Sequence, residues 1–159
     1  MSEKIDIRLT IDGREHAARV EPRRTLADAI REDCGLTGVN VGCEHGVCGA
    51  CTVIVDGEPV RACLMFAVQA QGKPIRTAQG LAQGGDLHPL QRAFIEQHAL
   101  QCGYCTPGFL MLATALLERD PDIDDESLLD ALSSNLCRCT GYRNIVAAVR
   151  AAADEMRKR

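Results

Sequence analysis

The sequence contains the stretch QCGYCTPG at Gln101–Gly108 and the stretch CRCTGYR at Cys137–Arg143. Together they supply four thiols in two tight pairs, and each pair lies in a short polar loop beside a predicted helix. Two cysteine pairs that are far apart in the chain can hold a zinc ion. They can also hold an anionic cluster, because a helix N-terminus offers free N–H groups and the positive end of the helix dipole. On spacing alone, the two stretches therefore predict a metal site of either kind.

An earlier group of cysteines has a different spacing. Cys43, Cys48 and Cys51 follow the pattern C-x4-C-x2-C, and Cys63 comes after a predicted hairpin. This is the spacing of plant-type [2Fe–2S] ferredoxins, whereas zinc sites favour separate C-x2-4-C pairs. Glycines between these cysteines let the loop wrap closely enough for backbone N–H groups to reach the sulfur atoms. The group therefore predicts one [2Fe–2S] cluster.

Composition restricts the class of protein. The chain has 159 residues, enough for one domain or two small ones, and carries nine cysteines. A net charge of -4 and an aromatic content of 3% give no reason to expect nucleic acid as a partner. No export signal or apolar run of membrane-spanning length is visible, so we expect a cytoplasmic protein without membrane insertion. Clustered thiols in that compartment bind metal or do redox chemistry more often than they form structural disulfides.

Before residue 78, the pattern is that of strands around one short helix. Apolar residues alternate with polar ones from Ile5 to Ile11, and the Asp-Gly pairs at 12–13 and 56–57 each predict a tight hairpin turn. Thr25 is expected to cap a helix over Leu26–Asp33. Further strands are predicted at Thr52–Val55, Val60–Ala62 and Lys73–Arg76. The fold class predicted for this half is a small α+β domain.

The remainder of the chain follows a polar, glycine-bearing linker at Gln79–Asp86 and predicts four helices. They are expected at His88–Ala99, Pro107–Arg119, Asp125–Ser133 and Arg143–Arg157. Thr106 as the cap and Pro107 in the first helical position form the start signal of the second of these. That helix is apolar almost all round, which predicts burial by its own bundle or by a partner subunit.

Three motifs together resemble one family. They are GCEHGVCGACT at 42–52, QCGYCTPG at 101–108 and NLCRCTGY at 135–142, and they cover the chain in this order. They are similar to the iron–sulfur subunit of the molybdenum hydroxylases, the family of xanthine dehydrogenase, aldehyde oxidoreductase and carbon monoxide dehydrogenase. The resemblance implies an α+β architecture with a β-grasp ferredoxin domain over residues 1–77. A four-helix bundle over residues 78–159 would follow, and each domain would bind one [2Fe–2S] cluster.

The resemblance also implies roles for individual residues. Eight cysteines would be the cluster ligands: Cys43, Cys48, Cys51 and Cys63 in the first domain, and Cys102, Cys105, Cys137 and Cys139 in the second. Gln101 would hydrogen-bond the pterin of a neighbouring subunit, and Cys139 would lie close enough to that pterin to connect it electronically. A glutamine at this position can also serve only to satisfy loop backbone. Cys34 is left over and is expected to be a small, buried filler.

The implied function is electron transfer. In this family a large subunit with molybdopterin, here expected in a cytosine dinucleotide form, oxidises the substrate. Electrons then pass through the two clusters to FAD in a medium subunit, within an assembly expected to be a dimer of heterotrimers. The chain would thus be one subunit of an oxidoreductase and hold no catalytic residue of its own. The alternatives are a free-standing two-cluster carrier that resembles a soluble ferredoxin and a zinc-stabilised interaction module.

Overall fold

A mixed five-stranded sheet forms the first half of the fold. The computed structural model describes residues 3–158. Strands β1 (Ile5–Ile11), β2 (Arg14–Val20), β3 (Thr52–Val55), β4 (Glu58–Arg61) and β5 (Pro74–Arg76) lie in the order β2-β1-β5-β3-β4. Strands β1 and β5 run parallel, and the other neighbours are antiparallel. This is the β-grasp arrangement that the resemblance implies, so the predicted α+β class is confirmed.

Both predicted hairpin turns are present. Asp12 and Gly13 have φ angles of 49° and 77°, and Asp56 and Gly57 have φ angles of 52° and 84°. Two successive positive φ angles define the type I′ turn, whose twist matches that of the strands on either side. The strand predicted at Val60–Ala62 lies slightly earlier, at Glu58–Arg61, because it pairs with β3 directly from the turn.

The predicted short helix packs on the sheet. Helix α1 (Leu26–Asp28) is capped by Thr25, whose hydroxyl accepts a hydrogen bond from the backbone N–H of Asp28 at 3.1 Å. The chain continues to Asp33 as a wider π-helical turn, so the predicted extent is confirmed although the winding is not uniform. Leu26 and Ile30 are fully buried against apolar side chains of the sheet.

Among the described residues, four further α-helices follow: α2 (Pro89–Glu96), α3 (Thr106–Arg119), α4 (Asp125–Ser133) and α5 (Tyr142–Met156). Helix α2 ends three residues before the predicted Ala99, since His98 has a φ of 50° that no right-handed helix contains. Helix α3 begins one residue before its predicted start. Thr106 is therefore the first helical residue, and Cys105 occupies the cap position assigned to Thr106.

Helix α3 is buried, as its composition predicts, but by more than its own bundle. Residues from Phe109 to Ala113 and Leu117 are nearly inaccessible to solvent. Ile54 of β3 belongs to the same apolar cluster as these side chains, so one face of α3 lies on the sheet. The sequence did not predict this contact. Within residues 3–158, no helix combines the length and apolar character needed to cross a bilayer.

Candidate metal centres

The loop between α1 and β3 gathers three of the four thiols of the first group. Cys43 and Cys48 are half-buried, and Cys51 is buried. The backbone N–H of Cys48 points at the Cys43 sulfur, with an N–Sγ distance of 3.4 Å. Hydrogen bonds from the backbone of Cys48 and His45 lower the pKa of the Cys43 thiol to about 6. The loop therefore favours negative charge on sulfur before any metal is bound.

Cys51 faces the fourth thiol of this group, Cys63, which follows β4 and is also buried. Burial raises the pKa of Cys51 to about 12, and the neighbouring Cys63 thiol adds to the rise. The side chains of Cys43 and Cys48 also interact, but here the Cys48 thiol lowers the pKa of Cys43. Cys48 also acts on Cys51, so the four thiols lie together, with side-chain interactions between Cys43 and Cys48 and between Cys51 and Cys63.

The second group has the same organisation. Cys102 is exposed and interacts with Cys139, while Cys105 interacts with the buried Cys137. The N–H of Tyr104 and then the Cys139 thiol lower the pKa of Cys102. Burial, followed by the Cys137 thiol, raises the pKa of Cys105 to about 12.

A backbone donor also serves this second group. The N–H of Gly141, which caps α5, lies 3.3 Å from the Cys137 sulfur. Helix α3 starts directly after Cys105, so both cysteine loops end at a helix N-terminus, as the sequence predicts. N–H groups and dipole ends placed in this way stabilise an anionic group bound between the loops.

Two facing pairs per group fit a [2Fe–2S] cluster better than a single ion. Such a cluster takes four cysteine ligands, two on each iron, and structural zinc instead gathers four ligands around one centre. The paired thiols and the N–H groups aimed at sulfur therefore fit the cluster.

The two cysteine loops touch each other through backbone. The N–H of Leu136, the residue before Cys137, donates to the carbonyl oxygen of Cys48 at 2.8 Å. A Cβ atom added at Gly108, in the first turn of α3, would overlap the carbonyl oxygen of Gly49. Glycine at position 108 allows this close approach, which a Cβ atom would prevent. The sequence did not predict this contact; the only signal was an isolated glycine inside a helical pattern.

Two tyrosines of the second group hold the loops in place. The hydroxyl of Tyr104 donates to the carbonyl of Val41 at 2.8 Å, and the side chain of Asn40 donates to the carbonyl of Tyr104 at 2.9 Å. The hydroxyl of Tyr142 accepts from the N–H of Cys137 at 2.9 Å. Sequence reasoning missed both roles, although each tyrosine stands inside a cysteine motif.

Gln101, Cys34 and the loop residue His45 lie as follows. Gln101 is exposed, and its amide nitrogen donates to the carbonyl of Cys139 at 3.1 Å. Cys34 is half-buried against the core of the sheet, and burial raises the pKa of its thiol. The Nδ1 atom of His45 lies 2.5 Å from the carbonyl oxygen of Cys43.

Comparison with known families divides the chain in the same way as the thiols do. Residues 9–80 match the family described as "2Fe-2S iron-sulfur cluster binding domain". Residues 77–150 match the family described as "[2Fe-2S] binding domain". The fold and the two sets of thiol pairs therefore define a protein with two [2Fe–2S]-binding domains.

Comparison with similar proteins restricts the class of iron–sulfur protein further. The chain is 54% identical over 148 residues to the nicotine 6-hydroxylase small subunit of Paenarthrobacter nicotinovorans, covering 93% of this chain and 89% of that one. It is 53% identical to the caffeine dehydrogenase subunit gamma of Pseudomonas sp. strain CBB1, covering 91% and 88%. The solved quinoline 2-oxidoreductase of Pseudomonas putida 86 superposes with a TM-score of 0.92 at 48% identity, covering 99% of this chain and 98% of that chain. The chain belongs to the family of iron–sulfur subunits of the molybdenum hydroxylases.

Proposed function

We propose that this chain is the electron-transfer subunit of a molybdenum hydroxylase. Electrons from a molybdopterin centre in a large subunit would reach FAD in a medium subunit by way of this chain. The observation that carries the proposal is the contact between the two cysteine loops, where the N–H of Leu136 donates to the carbonyl of Cys48. A protein that only binds two separate metal centres does not need a hydrogen bond between the two loops that hold them.

The ligand sets follow the thiol pairs. Cys43, Cys48, Cys51 and Cys63 would hold one [2Fe–2S] cluster in a domain of residues 1–77. Cys102, Cys105, Cys137 and Cys139 would hold the other in a domain of residues 78–159. A bound cluster supplies reversible one-electron oxidation and reduction. The chain's own residues bury Cys51, Cys63 and Cys137, aim N–H groups at sulfur and keep the two loops in contact.

The exposed side of the second group is the face we propose for the large subunit. Cys102 and Gln101 are exposed there, and the Gln101 amide is tethered to the carbonyl of Cys139. One amide nitrogen has two hydrogens, so this bond leaves a donor for a pterin in the partner. Cys139 would then connect that pterin electronically to the cluster.

The remaining partners follow from the same proposal. A medium subunit with FAD would dock near the first cysteine group, and two such heterotrimers would form a cytoplasmic dimer. The molybdopterin would be the cytosine dinucleotide form. Relatives named for nicotine, caffeine and quinoline support an N-heteroaromatic substrate, which the large subunit would bind.

Metal analysis and EPR test the electron-transfer role. The isolated chain, produced in iron-replete cells, should contain four iron atoms and four acid-labile sulfides, and it should show two distinct [2Fe–2S] signals after reduction. Bound zinc and no EPR signal would overturn the proposal in favour of a zinc-stabilised module.

Co-purification is the second measurement: a tagged chain expressed with its neighbouring genes should retain a molybdenum subunit and a flavin subunit. Isolation without any partner would favour the free-standing carrier instead.

A further inference from the structure

Two consecutive carbonyl groups of the first cysteine loop face the second loop. The backbone N–H of Leu136 donates to the carbonyl of Cys48 at 2.8 Å. The side-chain amide of Asn135 donates to the next carbonyl, that of Gly49, in a longer bond of 3.4 Å. Consecutive residues of one loop therefore bond to consecutive residues of the other, and this register places Cys48 beside the residue that precedes Cys137.

Asn135 occupies this position at a cost in free energy. The residue is 1% exposed, and its Oδ1 atom is buried without a hydrogen-bond partner. A Cβ atom added at Gly49 would overlap that oxygen, so the amide packs directly on the backbone of the first loop. A buried polar atom without a partner destabilises a fold, and an apolar side chain would avoid this penalty. The contact with the first loop, and not core stability, therefore explains an asparagine here.

Arg61, at the end of β4, bonds to both loops with one planar group. One terminal nitrogen of its guanidinium donates to the hydroxyl of Thr52, the residue after Cys51. The other terminal nitrogen donates to the carbonyl of Ser134 at 2.8 Å and to the hydroxyl of the same residue at 3.2 Å. A guanidinium presents its N–H groups in a rigid fork, so the group itself fixes the separation of Thr52 and Ser134.

Thr52 connects Arg61 to the carbonyl that Asn135 contacts. Its hydroxyl donates to the carbonyl of Gly49 at 2.7 Å, and its backbone N–H donates to the same oxygen at 3.1 Å. The bonds close into a ring through Arg61, Thr52, Gly49, Asn135 and Ser134. Buried networks of this kind are rigid, because each bond limits the movement of the others.

We propose that Arg61 and Asn135 are positioning residues that set the separation of the two clusters, and with it the electronic coupling between them. This inference rests on the proposed function, because it requires a cluster at each cysteine group. The ring contains the immediate neighbours of Cys48 and Leu136, so loosening the ring lengthens the bond between these two residues and lets the loops move apart. Magnetic and electronic coupling between two centres both decrease as the centres separate.

Arg61→Lys tests the proposal, because lysine keeps the positive charge but its single nitrogen cannot reproduce both arms of the fork. EPR of the full-length chain with both clusters reduced should show both [2Fe–2S] signals and a weaker magnetic interaction between them than in the wild type. Asn135→Leu keeps a branched side chain and removes the amide, so it should have the same effect. Both variants retain all eight cysteines of the two groups.

Arg119→Gln is the matched control. Arg119 also bonds across to β4, where it pairs with Glu58, but it lies at the opposite end of α3 from Cys105. The control should lower Tm and leave the magnetic interaction unchanged. A weakened interaction in this variant would overturn the inference, since any bond between the two halves of the fold would then suffice.

The remaining outcomes separate the inference from the proposed function. Two EPR signals with the wild-type magnetic interaction in Arg61→Lys or Asn135→Leu would overturn the inference while the proposed function stands. Two wild-type signals that do not interact would have the same meaning. A wild-type chain without EPR signals would overturn the proposed function itself. If Asn135→Leu fails to fold, Arg61→Lys decides, since Arg61 is only half-buried.

Discussion

At the scale of single residues, each cysteine group combines one thiol biased toward the thiolate with one biased toward the neutral form. Backbone N–H groups lower the pKa of Cys43 and of Cys102. Burial raises the pKa of Cys51 and of Cys105. A bound iron would remove the proton from either kind of thiol, because a coordinated thiol is deprotonated.

Cys139→Ser is expected to abolish turnover by the assembled enzyme. Its sulfur is half-buried, pairs with exposed Cys102 and lies in the loop held by Gln101. Steady-state substrate oxidation by the co-purified complex is the measurement. Cys34→Ser is the control, since Cys34 only packs against the sheet core, and its turnover should equal that of the wild type. Normal turnover in Cys139→Ser would refute the proposed route.

Gly108→Ala should destabilise the protein although alanine normally improves a helix. In an ordinary helix interior the change from glycine stabilises by about 0.5–1 kcal/mol. Here the new Cβ would overlap the carbonyl oxygen of Gly49, so the cysteine loops must separate. Thermal melting should show a lower Tm, and the magnetic interaction between the two reduced clusters should weaken in EPR. A raised Tm with unchanged coupling would contradict the backbone contact.

At the scale of elements, helix α3 links the two domains. Its first turn meets the first cysteine loop, its middle lies on β3, and its last turn carries two charges that pair with the sheet. Arg76 of β5 forms a two-pronged bond with Glu118 at 2.7 and 2.8 Å, and Arg119 pairs with Glu58 of β4. One helix therefore fixes the position of one cysteine group relative to the other.

The Arg76–Glu118 pair should give a measurable coupling energy. A double-mutant cycle with Arg76→Ala and Glu118→Ala, read by chemical denaturation, is expected to yield about 0.5–1 kcal/mol, the upper part of the range for exposed pairs. The two parallel bonds predict a value in that upper part, although the side chains are 41% and 43% exposed. The more exposed Arg8–Glu15 pair, within the first hairpin, is the control and should couple more weakly. Equal coupling in both cycles would mean that the interdomain geometry adds nothing.

At the scale of the whole molecule, clusters bound by the two cysteine groups would tie distant parts of the chain together. The first group joins the loop before β3 to Cys63 after β4, and the second joins the start of α3 to the start of α5. Cross-links over such lengths lower the conformational entropy of the unfolded chain, and the free energy of metal binding adds to the free energy of folding.

Removal of iron should therefore lower the stability of both domains. Anaerobic treatment with a chelator and a denaturant, followed by refolding, is expected to give an apoprotein with a lower Tm and a lower denaturant midpoint than the holoprotein. Reconstitution with iron and sulfide should restore both values. Circular dichroism measures the transitions, and identical melting of the two forms would show that the clusters do not stabilise the fold.

Much of the fold could be predicted because its signals are local. The Asp-Gly turns, the alternation along β1, the cap at Thr25 and the cysteine spacings each depend on a few neighbouring residues. Errors of one to three residues occurred at the ends of α2 and α3. The last residue of a helix depends on where the chain turns toward its next tertiary contact, and local helix propensity does not determine that position.

The sequence by itself determined the two cysteine groups, the strands and helices around them, and the family, since all of these are patterns along the chain. Only the tertiary structure decided which thiols face each other, that α3 lies on β3, and that Leu136 bonds to Cys48. It also decided that Thr106 opens a helix with its hydroxyl unsatisfied. These features join residues that are far apart in sequence or depend on burial, and local propensity carries no information about either.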